Sequence, residues 1–146
     1  MSDTIKMSLA NTAFNLSVAE EIFTALARAA TSDIQKQYHI RTVLSEIYGN
    51  AYLYSNRMRP NSSIDIEVCF TPDRFIASII NEGRGPADIN NRKIEAISLY
   101  AESGRGLAIV RKLCDNVYFK KMSESKFGVF IEIELPKAKM ITNTRE

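Results

Sequence analysis

Histidine occurs once and cysteine twice in this chain of 146 residues, at His39, Cys69 and Cys114. Ligands so few and so far apart form no zinc-binding pattern. His39 stands in a helical stretch beside Tyr38 and Ile40, with no serine or aspartate motif around it, and reads as structural rather than as part of a triad. Both cysteines fall in apolar segments and read as buried free thiols of a reducing compartment. An excess of either charge is also missing: 19 Lys and Arg against 17 Asp and Glu leave +2, with no basic block. That balance argues against direct nucleic-acid binding. No apolar run approaches membrane-spanning length, and Met1-Ser2-Asp3-Thr4 lacks the charged and apolar regions of a secretion signal. A cytoplasmic protein without membrane contact is therefore expected. Repeats, low-complexity tracts and linkers are absent, so one domain is expected over residues 1–146, with 136–146 a polar tail.

What is present is periodicity. Thr4 to Ala10 alternates, with Ile5, Met7 and Leu9 on one side, and predicts a first strand. Ser17-Val18-Ala19-Glu20 has the pattern of a capping box and predicts a helix over 17–30. A second helix is predicted over 34–56, capped by Asp33, with Ile40, Val43, Leu44, Ile47, Ala51 and Tyr54 as its stripe. Alternation predicts strands over Ser63 to Phe70 and Arg74 to Ile80, joined by the turn Thr71-Pro72-Asp73. Residues 87–103 are polar and weakly periodic, and predict a mobile loop with a short helix. A third helix over 105–115 and strands over Val117 to Met122 and Val129 to Leu135 close the chain. The expected class is α+β: a two-layer sandwich with three helices on one face of a mixed, mostly antiparallel sheet.

The long helix carries the first chemical signal. Glu46 and Asn50 stand four apart and share one helical face, at the border of the apolar stripe. Asn81-Glu82-Gly83-Arg84-Gly85 leaves the end of a strand, where glycines permit positive φ and close approach of a ligand. Gly104-Arg105-Gly106 opens a helix whose free N–H groups favour a phosphate.

Taken in order, Glu46-x-x-x-Asn50, Asn81-x-Gly83-x-Gly85 and Gly104-x-Gly106-Leu107 before a closing hairpin resemble the GHKL ATPase superfamily over about residues 4 to 136. The small size, the short lid and the lack of a phospho-acceptor histidine helix look most like its anti-sigma factor serine-protein kinases. The resemblance implies Mg²⁺ and ATP as cofactors. It implies Glu46 as the base or orienter of an attacking hydroxyl, and Asn50 as the Mg²⁺ ligand. It places Asn81, Gly83 and Gly85 beside the adenine, Gly104 and Gly106 on the phosphates, and residues 86–103 in the lid. Arg84 and Arg105 are the nearest basic side chains to those phosphates. A sigma factor and an anti-anti-sigma protein are the implied partners, and a homodimer through the first strand and helix 17–30 is the implied assembly.

Two positions depart from that pattern. Asn81 stands where the family has an adenine-reading Asp, and Val129, after Gly128, stands where it often has Thr. Asn still accepts through its amide oxygen, but the charge is gone and an NH₂ donor is added. Two functions stay open: a Mg²⁺/ATP-dependent kinase of a serine on an anti-anti-sigma protein, or a partner-switching module of the same fold with weak or lost nucleotide binding.

Overall fold

Strict alternation along the strands decides which side chains face the helices. The computed structural model describes residues 2–58, 61–83 and 106–136, with side chains described at all of these except 56–58 and 106. Five strands appear: β1 (Asp3–Ala10), β2 (Ser63–Thr71), β3 (Arg74–Glu82), β4 (Asn116–Ser123) and β5 (Lys126–Glu134). They form one sheet in the order β1-β2-β3-β5-β4, and all four neighbouring pairs are antiparallel. Three helices accompany it among the described residues: α1 (Ala13–Ala30), α2 (Ile34–Met58) and α3 (Gly106–Leu113). The helices pack on one face, giving the expected α+β two-layer sandwich.

The register puts Ile66, Ile79 and Val129 side by side on β2, β3 and β5, all buried toward the helices. Phe23 of α1 and Ile40, Val43, Leu44, Ile47 and Tyr48 of α2 meet them. Burial of one such side chain is worth about 1.5–3 kcal/mol, so this layer contact is the main source of stability. Tyr48 lies edge-on to Phe23, with ring centroids 5.6 Å apart, and its buried hydroxyl has no hydrogen-bond partner. Burial pushes that phenol up to about 12.

Helix α1 starts four residues before the expected Ser17. Thr12 caps it, its Oγ1 accepting from the Asn15 backbone N–H at 3.1 Å, while Asn15 Nδ2 donates to Ala10 O at 2.9 Å. The Ser17–Glu20 pattern therefore lies inside the helix, and Glu20 instead accepts a hydrogen bond from the Ser45 hydroxyl of α2. Asp33 does cap α2, its carboxylate accepting from Lys36 N at 2.8 Å. The paired inner strands β3 and β5 run longer than alternation alone indicates, because sheet pairing extends through the turn-proximal residues Glu82 and Lys126.

Both cysteines are free thiols, half-buried rather than fully buried. Cys69 belongs to the set on β2 that points away from the helices, opposite to Val68 and Phe70. Cys114 follows α3; burial, reinforced by the charge of Asp115 against the opposing Lys36, pushes its thiol up to about 12. It is therefore no thiolate nucleophile near neutral pH. No described helix is long and apolar enough to cross a membrane.

Candidate nucleotide site at the end of the sheet

Asn81 is the inward-facing residue that follows Phe75, Ala77 and Ile79 on β3, and that parity buries it to 3% exposure. A carboxamide replaces the apolar side chain the pattern calls for. It is held by its own strand, Nδ2 donating to the Glu82 carbonyl at 3.1 Å. A backbone carbonyl only accepts, so this contact fixes the amide with its nitrogen on Glu82. Across the interface, α2 brings Asn50 to the same corner. Its Nδ2 is buried without a hydrogen-bond partner among the described residues. Buried polar atoms are nearly always satisfied, so an orphaned amide nitrogen marks a place built for something else or a stability cost borne for function.

The two asparagines line one cavity of about 20 Å³ with Ile47, Ala51, Leu107, Phe119, Phe127 and Val129. Val129 thus shares a corner with Asn81, as aligning the last hairpin indicates. The cavity has room for about one water; a purine enters only if its walls part. Phe119 and Phe127 are those walls on the β4–β5 side, stacked with centroids 6.2 Å apart. A larger hollow of about 420 Å³ lies on the opposite face of the sheet, between Lys6, Glu67 and Ser78, and none of the candidate residues borders it.

Gly83 has φ +136°, the positive value expected of it. Its close approach is to protein: a Cβ built there would lie 3.0 Å from the Tyr54 ring and 3.5 Å from Asn81 Nδ2. The turn is tied down twice, by Gly83 N donating to Ser125 O at 2.7 Å and by the Ser55 hydroxyl of α2 donating to Glu82 O at 3.0 Å. Glu46 sits one turn before Asn50 on α2, half-buried and outside the cavity lining. Their Cβ atoms are neighbours at about 5–6 Å, as any i, i+4 pair on a helix. Gly106 is the first residue of α3, whose Leu107 reaches the cavity. Arg84, Gly85, the lid at 86–103, Gly104, Arg105 and the tail from 137 lie outside the described residues.

The structure therefore joins Asn50, Asn81, Gly83, Val129 and the start of α3 around the second half of α2. Alternation could have found Phe119 and Phe127 as inward-facing residues. Nothing local marks Ser55, and Tyr54, legible as part of the α2 stripe, takes a part in the corner that depends on where β3 ends. For a metal, the Asn50 amide oxygen is a hard donor of the kind Mg²⁺ takes.

The sequence profile of the histidine kinase-like ATPase domain matches residues 9–129. The chain belongs to that family. It is also similar along nearly its whole length to two anti-sigma F factors. The one from Oceanobacillus iheyensis is 23% identical over 146 residues, covering 98% of this chain and 100% of the relative. The one from Halalkalibacterium halodurans is 26% identical over 148 residues, with the same coverage. An anti-sigma factor-like regulator is the functional class these relatives support.

Proposed function

We propose that this chain is a cytoplasmic anti-sigma regulator that binds Mg²⁺·ATP and phosphorylates a serine of an anti-anti-sigma partner. The observation that carries the proposal is Asn50 set beside Asn81 at the end of the sheet in a histidine kinase-like ATPase domain, its Nδ2 a buried donor with no partner among the described residues. Asn50 would face the metal, Asn81, Gly83 and Gly85 the base, and Gly104 to Gly106 the phosphates. When bound, Mg²⁺ would neutralise phosphate charge, which is most of what phosphoryl transfer asks of a protein. Glu46, half-buried and one turn away, would orient the partner's hydroxyl. The segment 86–103 would then be a lid. The test is incubation with labelled ATP, Mg²⁺ and an anti-anti-sigma domain. Phosphoserine that disappears in Glu46→Gln supports the kinase.

A second reading has its own support. The cavity of about 20 Å³ and the uncharged pair Asn81 and Val129 suit a partner-switching module with weak or lost nucleotide binding. Sigma-factor binding without any phosphoserine selects this reading.

A homodimer is part of the proposal. β1 is an edge strand whose Ile5 is 40% exposed, and an unpaired edge with an apolar side invites a second strand. Sedimentation at micromolar concentration should give twice the chain mass; a single-chain mass removes the dimer.

A further inference from the structure

Helices α1 and α2 are joined by a turn of three residues between Ala30 and Ile34, so they run antiparallel and leave a groove at that end. The groove measures about 230 Å³ and lies between Thr24, Ala27 and Arg28 of α1 and Ile34, Gln37, Tyr38 and Arg41 of α2. Its corner is pinned, Gln37 Nε2 donating to Thr31 O at 2.7 Å. Ile34 is 75% and Tyr38 57% exposed, an unusual position for two large apolar side chains one helical turn apart. Arg41 holds its guanidinium 5.8 Å from the Tyr38 ring centroid. No described carboxylate pairs with Arg28 or Arg41; the nearby Asp33 spends an oxygen on Lys36 N.

We propose that this groove is a protein-docking surface, and that its occupant is a helical segment of the partner sigma factor bearing carboxylates beside an apolar anchor. The assignment of that partner rests on the proposed anti-sigma function. Charge complementarity carries it: two unpaired guanidiniums flank an apolar wall, so an acidic segment gains both ion pairs and a seat for its anchor. The side chains are of the types that dominate interface energetics, tyrosine and arginine, on rigid helices. Ile34, Tyr38 and Arg41 follow one helical stripe over about 10 Å, the length of two helical turns. A nucleic acid would need a row of cations, whereas this groove has two, separated by apolar groups, in a chain of net charge +2. A membrane surface would need a convex apolar stripe, not a walled groove. Asn50 lies nine residues further along α2, about 13 Å away at helical rise, so docking and nucleotide binding are separable measurements.

The test uses the sigma factor as probe and calorimetry as readout, on wild type, Arg28→Glu with Arg41→Glu, Arg28→Lys with Arg41→Lys, and Tyr38→Ala. All changes are at surface positions, and circular dichroism checks folding. We expect the charge reversal and Tyr38→Ala each to weaken binding by about 30-fold or more, the effect of losing an interface hot spot. The lysine pair should retain most of the affinity, and Mg²⁺·ATP binding should be unchanged throughout. Wild-type affinity in the reversed variant overturns the groove while leaving the anti-sigma function standing. A wild type that binds no sigma factor overturns that function and this occupant with it. A dimer that becomes monomeric only on charge reversal makes the groove a self-interface and overturns the proposal.

Discussion

Asn50→Ala should lose all Mg²⁺ dependence of ATP binding, so that calorimetry gives the same weak affinity with and without the metal. An oxygen ligand to a charged group is worth about 1.5–3 kcal/mol, or roughly 10- to 150-fold in affinity. Stability should move the other way or hardly at all. The Asn50 Nδ2 is buried without a partner among the described residues, and deleting an unsatisfied buried donor removes a desolvation cost of about 1–3 kcal/mol, which offsets the packing lost with the side chain. Loss of function without loss of melting temperature is therefore the signature of a residue kept for binding. A fall of several degrees would show instead that Asn50 supports the fold, and Mg²⁺-dependent binding that survives the change would remove it from the metal site.

The second large effect concerns the base-reading corner. Asn81→Asp should tighten ATP binding by about tenfold, because a charged acceptor replaces a neutral one and the difference is about 1.4 kcal/mol. Val129→Thr added to it should tighten binding further, since Val129 lines the same cavity. The structure attaches a cost. Asn81 donates to the Glu82 carbonyl and is 3% exposed, so a carboxylate there loses that bond and meets a carbonyl oxygen in a dry environment. The nucleotide-free Asn81→Asp protein should melt below wild type and regain stability with saturating ATP by linkage. Calorimetry with Mg²⁺·ATP and Mg²⁺·GTP, alongside thermal melts, reads both effects. A double reversion that still binds no ATP would make the pocket vestigial and leave the partner-switching module as the function.

The cavity adds a physical condition to both results. It has room for about one water between Asn50, Asn81 and the paired rings of Phe119 and Phe127. A bound base must separate α3 or the β4–β5 hairpin from α2. The energy of that separation would be subtracted from the gross affinity, which is a second reason, besides the lost charge, to expect any nucleotide binding to be weak.

Much of this protein was determined by residues close together in the chain. Alternation of Ile64, Ile66 and Val68, and of Phe75, Ala77 and Ile79, specified the sheet faces, because the side-chain period of a strand is two wherever it pairs. The 3.6-residue period placed Val43, Leu44 and Ile47 in the core and set Glu46 and Asn50 on a common edge. Asp33 as the cap of α2 was equally local. The start of α1 was ambiguous locally, because both Thr12 and Ser17 have capping chemistry; Thr12 caps the helix, and Glu20 is taken up by Ser45 across the helix pair. Nor could local pattern place β5 between β3 and β4, since that order depends on pairing residues such as Asn81 and Phe127, far apart in the chain. Only that pairing brought Asn81 beneath α2 and filled the space beside Gly83 with Tyr54. Periodicity records how neighbouring residues divide between core and water, and so it identified the faces. Which faces meet, and how little room they leave, is decided by side-chain volumes packed across the whole sheet.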